Sequence, residues 1–444
     1  MRETPVLRRK RTATVLVVLC GAALCVGMAM TSLVRAEAVA IGRALPAWQE
    51  GILDIHFINT GKGGDAALFI LPDGTTILRD AGDTFRERPA HYDAPAVPDT
   101  SRRPGEWISR YIQAVHPRGA RGELDIVLIS HFHGDHLGSI TENSPKSKSG
   151  AYLLSGITDV AESVPIRRLV DRGWPDYDFP EPIANAMMDN YRAFLQWQTK
   201  HANMRAERFE IGRNDQLVLQ HDPEAYPDFE IRNIAASGYA WTGTGEQARS
   251  RFPKSDPPSE NNCSIAFRLR YGRFTYFDGG DMTGVSPPTA PVWRDMESAL
   301  AWVVGPVDVH VLNHHGFKDT TNAFFLSVLQ PRVHVVSVYA ASQPDVSVMR
   351  RLLSEQIYRG PRDVFLTNGM WEGRRPNMVE LFGEQDASWL ADRLTEVASS
   401  QGHIVVRVDP GGATYRVVVL DDRDERRNVR SVHGPYQAGR PENP

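Results

Sequence analysis

The chain has 444 residues, 41% of them hydrophobic and 23% charged, which excludes wholesale disorder and leaves room for one large domain or two. Its net charge is −4; without residues 1–36, which carry six basic and one acidic side chain, 44 basic groups face 53 acidic ones, a balance of −9. That balance disfavours extended nucleic-acid binding, because surfaces that track phosphates are basic. A small basic cleft is compatible with it.

At the N-terminus, Arg8-Arg9-Lys10-Arg11 precede an almost unbroken apolar run over residues 13–30. Val34-Arg35-Ala36 and Ala36-Glu37-Ala38 then offer small residues where signal cleavage requires them. Residues 1–36 read as a signal peptide, with an uncleaved membrane anchor as the alternative, since the run approaches a spanning length. Either way the remainder is expected to be exported, periplasmic or secreted. Cys20 and Cys25 lie in this leader, so Cys263 is left alone and no intrachain disulfide is available after cleavage.

Residues 50–422 read as the folded domain. A first strand, Ile52-Leu53-Asp54-Ile55-His56-Phe57-Ile58, leads into a glycine-rich turn, Thr60-Gly61-Lys62-Gly63-Gly64-Asp65. Two further strands over 66–71 and 75–79 flank the hairpin turn Pro72-Asp73-Gly74, and the second ends at Asp80-Ala81-Gly82-Asp83. After a prolyl stretch and a helix over 107–115, the apolar run 124–129 predicts a buried strand. Residues 141–259 show weak periodicity, with one helix over 184–200 and one strand over 229–234. This stretch reads as a long insertion, either a wall over a site or a surface excursion. Strands follow over 263–271, 274–277, 307–312, 333–338 and 364–367. Helices are expected over 321–329, 346–356 and 387–397. A hairpin over 403–420 turns at Asp409-Pro410-Gly411-Gly412, and the charged tail 423–444 is expected to be frayed.

The chemistry concentrates in six residues after the buried strand, His131-Phe132-His133-Gly134-Asp135-His136. Two histidines at i and i+2 on a strand end can project to one side, and an Asp and a His on the following turn can reach a second ion. Imidazole and carboxylate donors suit zinc or a similar divalent ion, manganese included. The design recurs at other strand tips: Asp80, then Asp281 after Asp278-Gly279-Gly280, then Asn313-His314-His315-Gly316. His56, His310 and His334 sit within strands and read as structural. Lys62 lacks the spacing of a phosphate-cradling loop, so its loop reads first as a turn.

His-x-His-x-Asp-His after a strand resembles the signature of the metallo-β-lactamase fold. Finer features resemble one branch of it, the hydrolase domain of the competence protein ComEC. These are the opening strand with Gly61-Lys62-Gly63-Gly64-Asp65-Ala66, then Asp80-Ala81-Gly82, Asn261-Asn262-Cys263-Ser264, Gly280-Asp281, and His314-His315-Gly316 with Lys318. Here the glycine loop is one residue longer, and Phe317 replaces a serine. The resemblance spans about residues 51–338. It implies an α/β fold, a four-layer αββα sandwich holding two divalent ions, with an insertion at 141–259 between the first motif and the bridging Asp. It implies that His131 and His133 hold the first ion, Asp135 and His136 the second, and that Asp281 bridges. His315 would complete the second site, with His314 as the alternate. Asp80 would orient a ligand, and Asn262 and Lys318 are candidates for contact with substrate. The further His that many members give the first ion has no clear counterpart. His201 lies in a polar helix, and His221, after Leu217-Val218-Leu219, is the better alternate.

Such a site makes shared water acidic and stabilises developing oxyanion charge, with Asp135 or Asp281 available to relay a proton. The leading expectation is an exported metal-dependent hydrolase of phosphodiesters. A β-lactam, lactone or ester hydrolase of the same fold, or a metal-stabilised binding protein without turnover, are the alternatives. The expected partner is a small-molecule or phosphodiester substrate. Membrane contact is expected only if the leader is kept.

Overall fold

The computed structural model describes residues 1, 39–84, 88–287 and 289–439. The proposed leader therefore lies, Met1 apart, outside the described residues. The first half of the fold supplies six strands: β1 (Leu53–Phe57), β2 (Ala67–Ile70), β3 (Thr76–Arg79), β4 (Ile126–Leu128), β5 (Arg168–Asp171) and β6 (Arg205–Arg208). A second set comprises β7 (Phe229–Ala236), β8 (Tyr239–Trp241), β9 (Ala248–Ser250), β10 (Ala266–Tyr271), β11 (Phe274–Asp278), β12 (Val309–Val311), β13 (Val333–Val336) and β14 (Asp363–Leu366). The chain then returns to the first sheet with β15 (His403–Val408), β16 (Thr414–Leu420) and β17 (Val429–Gln437). One sheet runs β17-β16-β15-β1-β2-β3-β4-β5-β6, the other β14-β13-β12-β11-β10-β7-β8-β9.

The two sheets pack face to face. Leu53, Ile55 and Phe57 from one sheet and Leu269, Val309, Val311 and Val335 from the other share one core. The alternate positions face outward, because side chains on a strand alternate between faces. On the first sheet, Leu68, Ile70, Val127 and Ile129 meet helices α1 (Pro104–Val115), α3 (Ile157–Ser163) and α4 (Ala186–His201), through Ile112, Val160 and Phe194. Between α1 and α3 lies the one-turn helix α2 (Gly134–Leu137). The outer face of the second sheet is covered by α5 (Met296–Val304), α6 (Ala323–Leu329), α7 (Val346–Leu352), α8 (Arg374–Phe382) and α9 (Glu384–Glu396). This is the four-layer αββα sandwich that the resemblance implied. Among the described residues no helix is long and apolar enough to cross a membrane.

Two expectations are corrected. Residues 141–259 are not an insertion outside the fold: β5 and β6 extend the first sheet in parallel, and β7 pairs antiparallel with β10 in the second. Short strands such as Arg205–Arg208, largely exposed, carry too few apolar residues to show periodicity. The tail is not frayed from residue 423, because Val429–Gln437 pairs with β16 as an edge strand. Only Val429 and Tyr436 of its nine residues are buried, and the ladder of backbone hydrogen bonds supplies its order.

Candidate metal centre

The strand tips meet at one edge of the sandwich, where β3, β4, β11 and β12 all deliver their carboxyl ends. β4 runs through Ile129 and Ser130 into His131, and the turn at Gly134 starts α2, which carries Asp135 and His136. The glycine loop is a turn, as read: the Asp65 N–H donates to the Asp135 carbonyl at 2.8 Å. Gly64, at φ +100°, has no room for a side chain, since a Cβ there would stand 2.3 Å from that same carbonyl oxygen. Lys62 is exposed.

Two donor groups share Asp281. Asp135, His136, Asp281 and His315 bring one ligand atom each within 4.8 Å of one another, and so do His131, His133 and Asp281. His136 Nε2 lies 3.2 Å from Asp281 Oδ1, and His315 Nε2 lies 3.7 Å from the same oxygen. His131 Nε2 faces the other oxygen, Oδ2, at 3.6 Å and stands 3.0 Å from His133 Nδ1. All except His133 are buried.

The opposite ring nitrogens are anchored. His136 Nδ1 donates to Asp80 at 2.8 Å, and His315 Nδ1 donates to the Ser337 carbonyl at 3.1 Å. Each anchor fixes the tautomer that turns Nε2 inward as a lone-pair donor. Those inward atoms, His136 Nε2 and His315 Nε2, are buried without a hydrogen-bond partner, as is Asp135 Oδ1. Orphaned buried polar atoms are costly, and several aimed at one point fit a divalent cation. The residues present can therefore hold such an ion.

Charges follow the same logic. Burial disfavours a charged Asp281, yet His136, His315, His314 and His131 hold its carboxyl well below the ordinary range. Burial is likewise outweighed at His136, which Asp281 and Asp80 push well above an ordinary imidazole: the two carboxylates favour positive charge there, which a proton on Nε2 or a cation in its place would supply. His131 goes the other way, lowered by burial and by neighbouring His136.

Asp80 lies behind His136 and also accepts the Ser130 N–H and hydroxyl, both at 2.7 Å. Asn262 is buried. It accepts from the Thr283 N–H at 3.0 Å and from the Thr283 hydroxyl, and so braces the segment after Asp281. Lys318 is exposed, its ammonium 5.6 Å from the Phe317 ring centroid. His221 is removed from the candidates: it lies 3.3 Å from Asp125 and beside Arg118, away from the donor groups. His201 stacks near Trp197 on α4. His314, the alternate, does reach the site, 3.8 Å from Asp281 Oδ2.

Three supporting residues had not been singled out. Arg79 is buried and pairs with Asp65 at 2.7 Å, Asp80 at 2.9 Å and Asp278 at 3.0 Å. Tyr339, just past β13, donates its hydroxyl hydrogen bond to Asp135 Oδ2 and sets its ring edge-on to His315. Glu297 accepts from Asn313 and from the N–H groups of Thr321 and Asn322, which ties α5 to the His314-His315 loop. The strand-tip rule would have found Tyr339. A lone Arg closing an apolar strand before Asp80 was the only sign of Arg79.

No family model matches the chain, and no curated protein does. Among solved structures it is similar to zinc-bound PqqB from Methylobacterium extorquens, with 10% identity over 68% of this chain and 95% of that one, at a TM-score of 0.33.

Proposed function

We propose that this protein is an exported metal-dependent hydrolase that cleaves phosphodiesters, related in type to the ComEC hydrolase domain. The observation that carries the reading is the pair of buried donor groups sharing Asp281, with unpartnered ligand atoms turned inward. His131, His133 and Asp281 would hold one ion, and Asp135, His136, His315 and Asp281 a second, with zinc favoured by the imidazole-rich set and manganese as the alternative. Such ions supply Lewis-acid chemistry: they polarise a phosphoryl oxygen and make water a nucleophile near neutral pH.

The chain's own residues position this chemistry. Asp80 and the Ser337 carbonyl orient two imidazoles, and Arg79 neutralises the carboxylates behind them. Tyr339 fixes the rotamer of Asp135 by donating to one of its oxygens, which leaves the other free to ligate. The ComEC-type details, Asp80-Ala81-Gly82 and His314-His315-Gly316, favour a phosphodiester over a lactam or ester. The acidic balance favours a small or short substrate over a long polymer. The leader sequence supports export.

The test is hydrolysis of bis(p-nitrophenyl) phosphate by the chain lacking residues 1–36, with zinc or manganese, with chelator, and with Asp135→Ala. Turnover that chelator and substitution both abolish is expected. A metal-loaded protein that opens lactams or esters and leaves the phosphodiester intact would overturn the substrate assignment.

A further inference from the structure

We infer that His314 is the third protein ligand of the first ion, in place of the histidine that this chain lacks between Asp135 and Asp281. The inference rests on the two-ion reading above and refines it. Two neighbouring histidines at one strand tip would then serve different ions, one on each side of Asp281.

The geometry assigns sides. Asp281 Oδ1 faces His136 at 3.2 Å and His315 at 3.7 Å, while Oδ2 faces His131 at 3.6 Å and His314 at 3.8 Å. His314 therefore stands with His131, across the carboxylate from His315. Two donors on one tetrahedral ion, each about 2 Å from it, lie about 3.3 Å apart. A contraction of a few tenths of an ångström would close the gaps to Asp281 Oδ2, and the His314 ring would have to move further to join His131 and His133, whose 4.8 Å donor group does not include it.

His314 also repeats the pattern of the buried ligands. Its Nδ1 lies 2.9 Å from Asp319 Oδ1, as His136 Nδ1 lies 2.8 Å from Asp80. A carboxylate on Nδ1 leaves the Nε2 lone pair facing Asp281 Oδ2. That lone pair also lies 3.4 Å from the Asn261 side-chain amide, a long contact, and against the carboxylate oxygen it is repulsive unless a cation or proton lies between them.

The backbone is built to hold this orientation. His314 and His315 have φ of 47° and 54°, a left-handed pair that non-glycine residues adopt only under constraint. The constraint is visible: the His314 N–H donates to the Gly280 carbonyl at 3.0 Å, beside Asp281. The Asp319 carbonyl in turn accepts from the N–H groups of Gly284 and Val285, at 2.8 and 2.7 Å. Without the reversal, consecutive side chains on an extended strand would point to opposite faces, and one histidine would leave the site. His133 and His314 are the partly exposed members, so an ion held by them would lie nearer solvent than one held by His136 and His315.

The test is metal titration of the full chain, stripped by chelator, against a chromophoric competitor, with cobalt absorption as a second readout. Wild type is expected to take up two ions. His314→Ala is expected to weaken the same ion as His131→Ala, by tenfold or more, and to change the cobalt bands of that ion. His315→Ala is expected to weaken the other. Asp319→Asn should cost the first ion roughly tenfold through the lost anchor. His314→Gln, which keeps the volume, replaces the Ala variant if circular dichroism shows that variant unfolded. Two ions held at wild-type affinity in the His314 variants, or loss of the ion that His315→Ala loses, would overturn the assignment of His314 alone. Failure of wild type to bind any ion would overturn the metal-hydrolase reading first.

Discussion

Replacing Arg79 with Met removes one cation from the centre of three buried carboxylates. Asp65, Asp80 and Asp278 stand 2.7, 2.9 and 3.0 Å from the guanidinium, and none of the four side chains is more than 8% exposed. Methionine fills much of the volume, so little cavity forms and the loss is electrostatic. Breaking a buried pair by removing one partner costs about 3–5 kcal/mol, because the remaining charge is left uncompensated. At the lower bound, the ratio of folded to unfolded protein falls by a factor of roughly a hundred.

The pH dependence separates this cause from lost packing. In wild type, burial opposes the Asp65 charge, yet Arg79, then His315 and His136, hold its pKa below the ordinary value. That contribution is present above the unfolded pKa and is lost only as pH falls through the lower folded one. Without Arg79, burial raises the folded pKa of Asp65 and raises further that of Asp278, which burial already holds above the ordinary value in wild type. A raised carboxylate stabilises fully below its unfolded pKa and loses that stability as pH rises through the folded pKa. The deficit of Arg79→Met is therefore expected to be largest near pH 8 and to shrink toward pH 5. Urea unfolding followed by tryptophan fluorescence at several pH values measures it. A deficit under 1 kcal/mol at pH 8, or one that is constant down to pH 5, would refute the reasoning.

Other expectations concern single side chains. His310 lies in the core between Phe277 and Phe325 with both ring nitrogens unpartnered, and burial lowers its pKa to about 3. The unfolded chain takes up that proton near pH 6.5, so stability falls as pH drops from 6.5 toward 3. His310→Phe should flatten this dependence, by up to about 4 kcal/mol at the acid end, as thermal unfolding against pH would show. Tyr339→Phe loses the hydrogen bond to Asp135 and should weaken metal binding about tenfold, read by chelator competition, with little change in unfolding free energy. Phe194→Ala empties a fully buried site on α4 between Tyr152 and Tyr191. It should cost about 3–5 kcal/mol in urea unfolding while cobalt absorption of the folded protein stays unchanged.

Largely apolar runs bounded by turn residues made β1, β2, β12 and β13 legible, because a strand buried on both faces shows apolar residues at successive positions. Helices α5 and α8 were missed for opposite reasons. Met296–Val304 is apolar nearly all round, so no stripe stands out, and Arg374–Phe382 starts with charged residues and a proline. The edge strands β6 and β17 were missed because hydrogen bonds to a neighbour, rather than apolar side chains, place them.

The four-layer architecture was implied by the family resemblance, and the sequence by itself determined the donor types and the order of the strand tips that carry them. Those follow from local spacing and from side-chain alternation, which any stretch of chain displays. Only the tertiary structure decided which donors converge. It turned His314 and His315 to opposite sides of Asp281, set Asp80 behind His136, withdrew His221 to Asp125, and placed Arg79 among three carboxylates. Each of those outcomes depends on where separate strand ends meet across two sheets, and on the burial that makes an unpaired charge or lone pair costly. Neither quantity is a property of a residue and its neighbours in sequence.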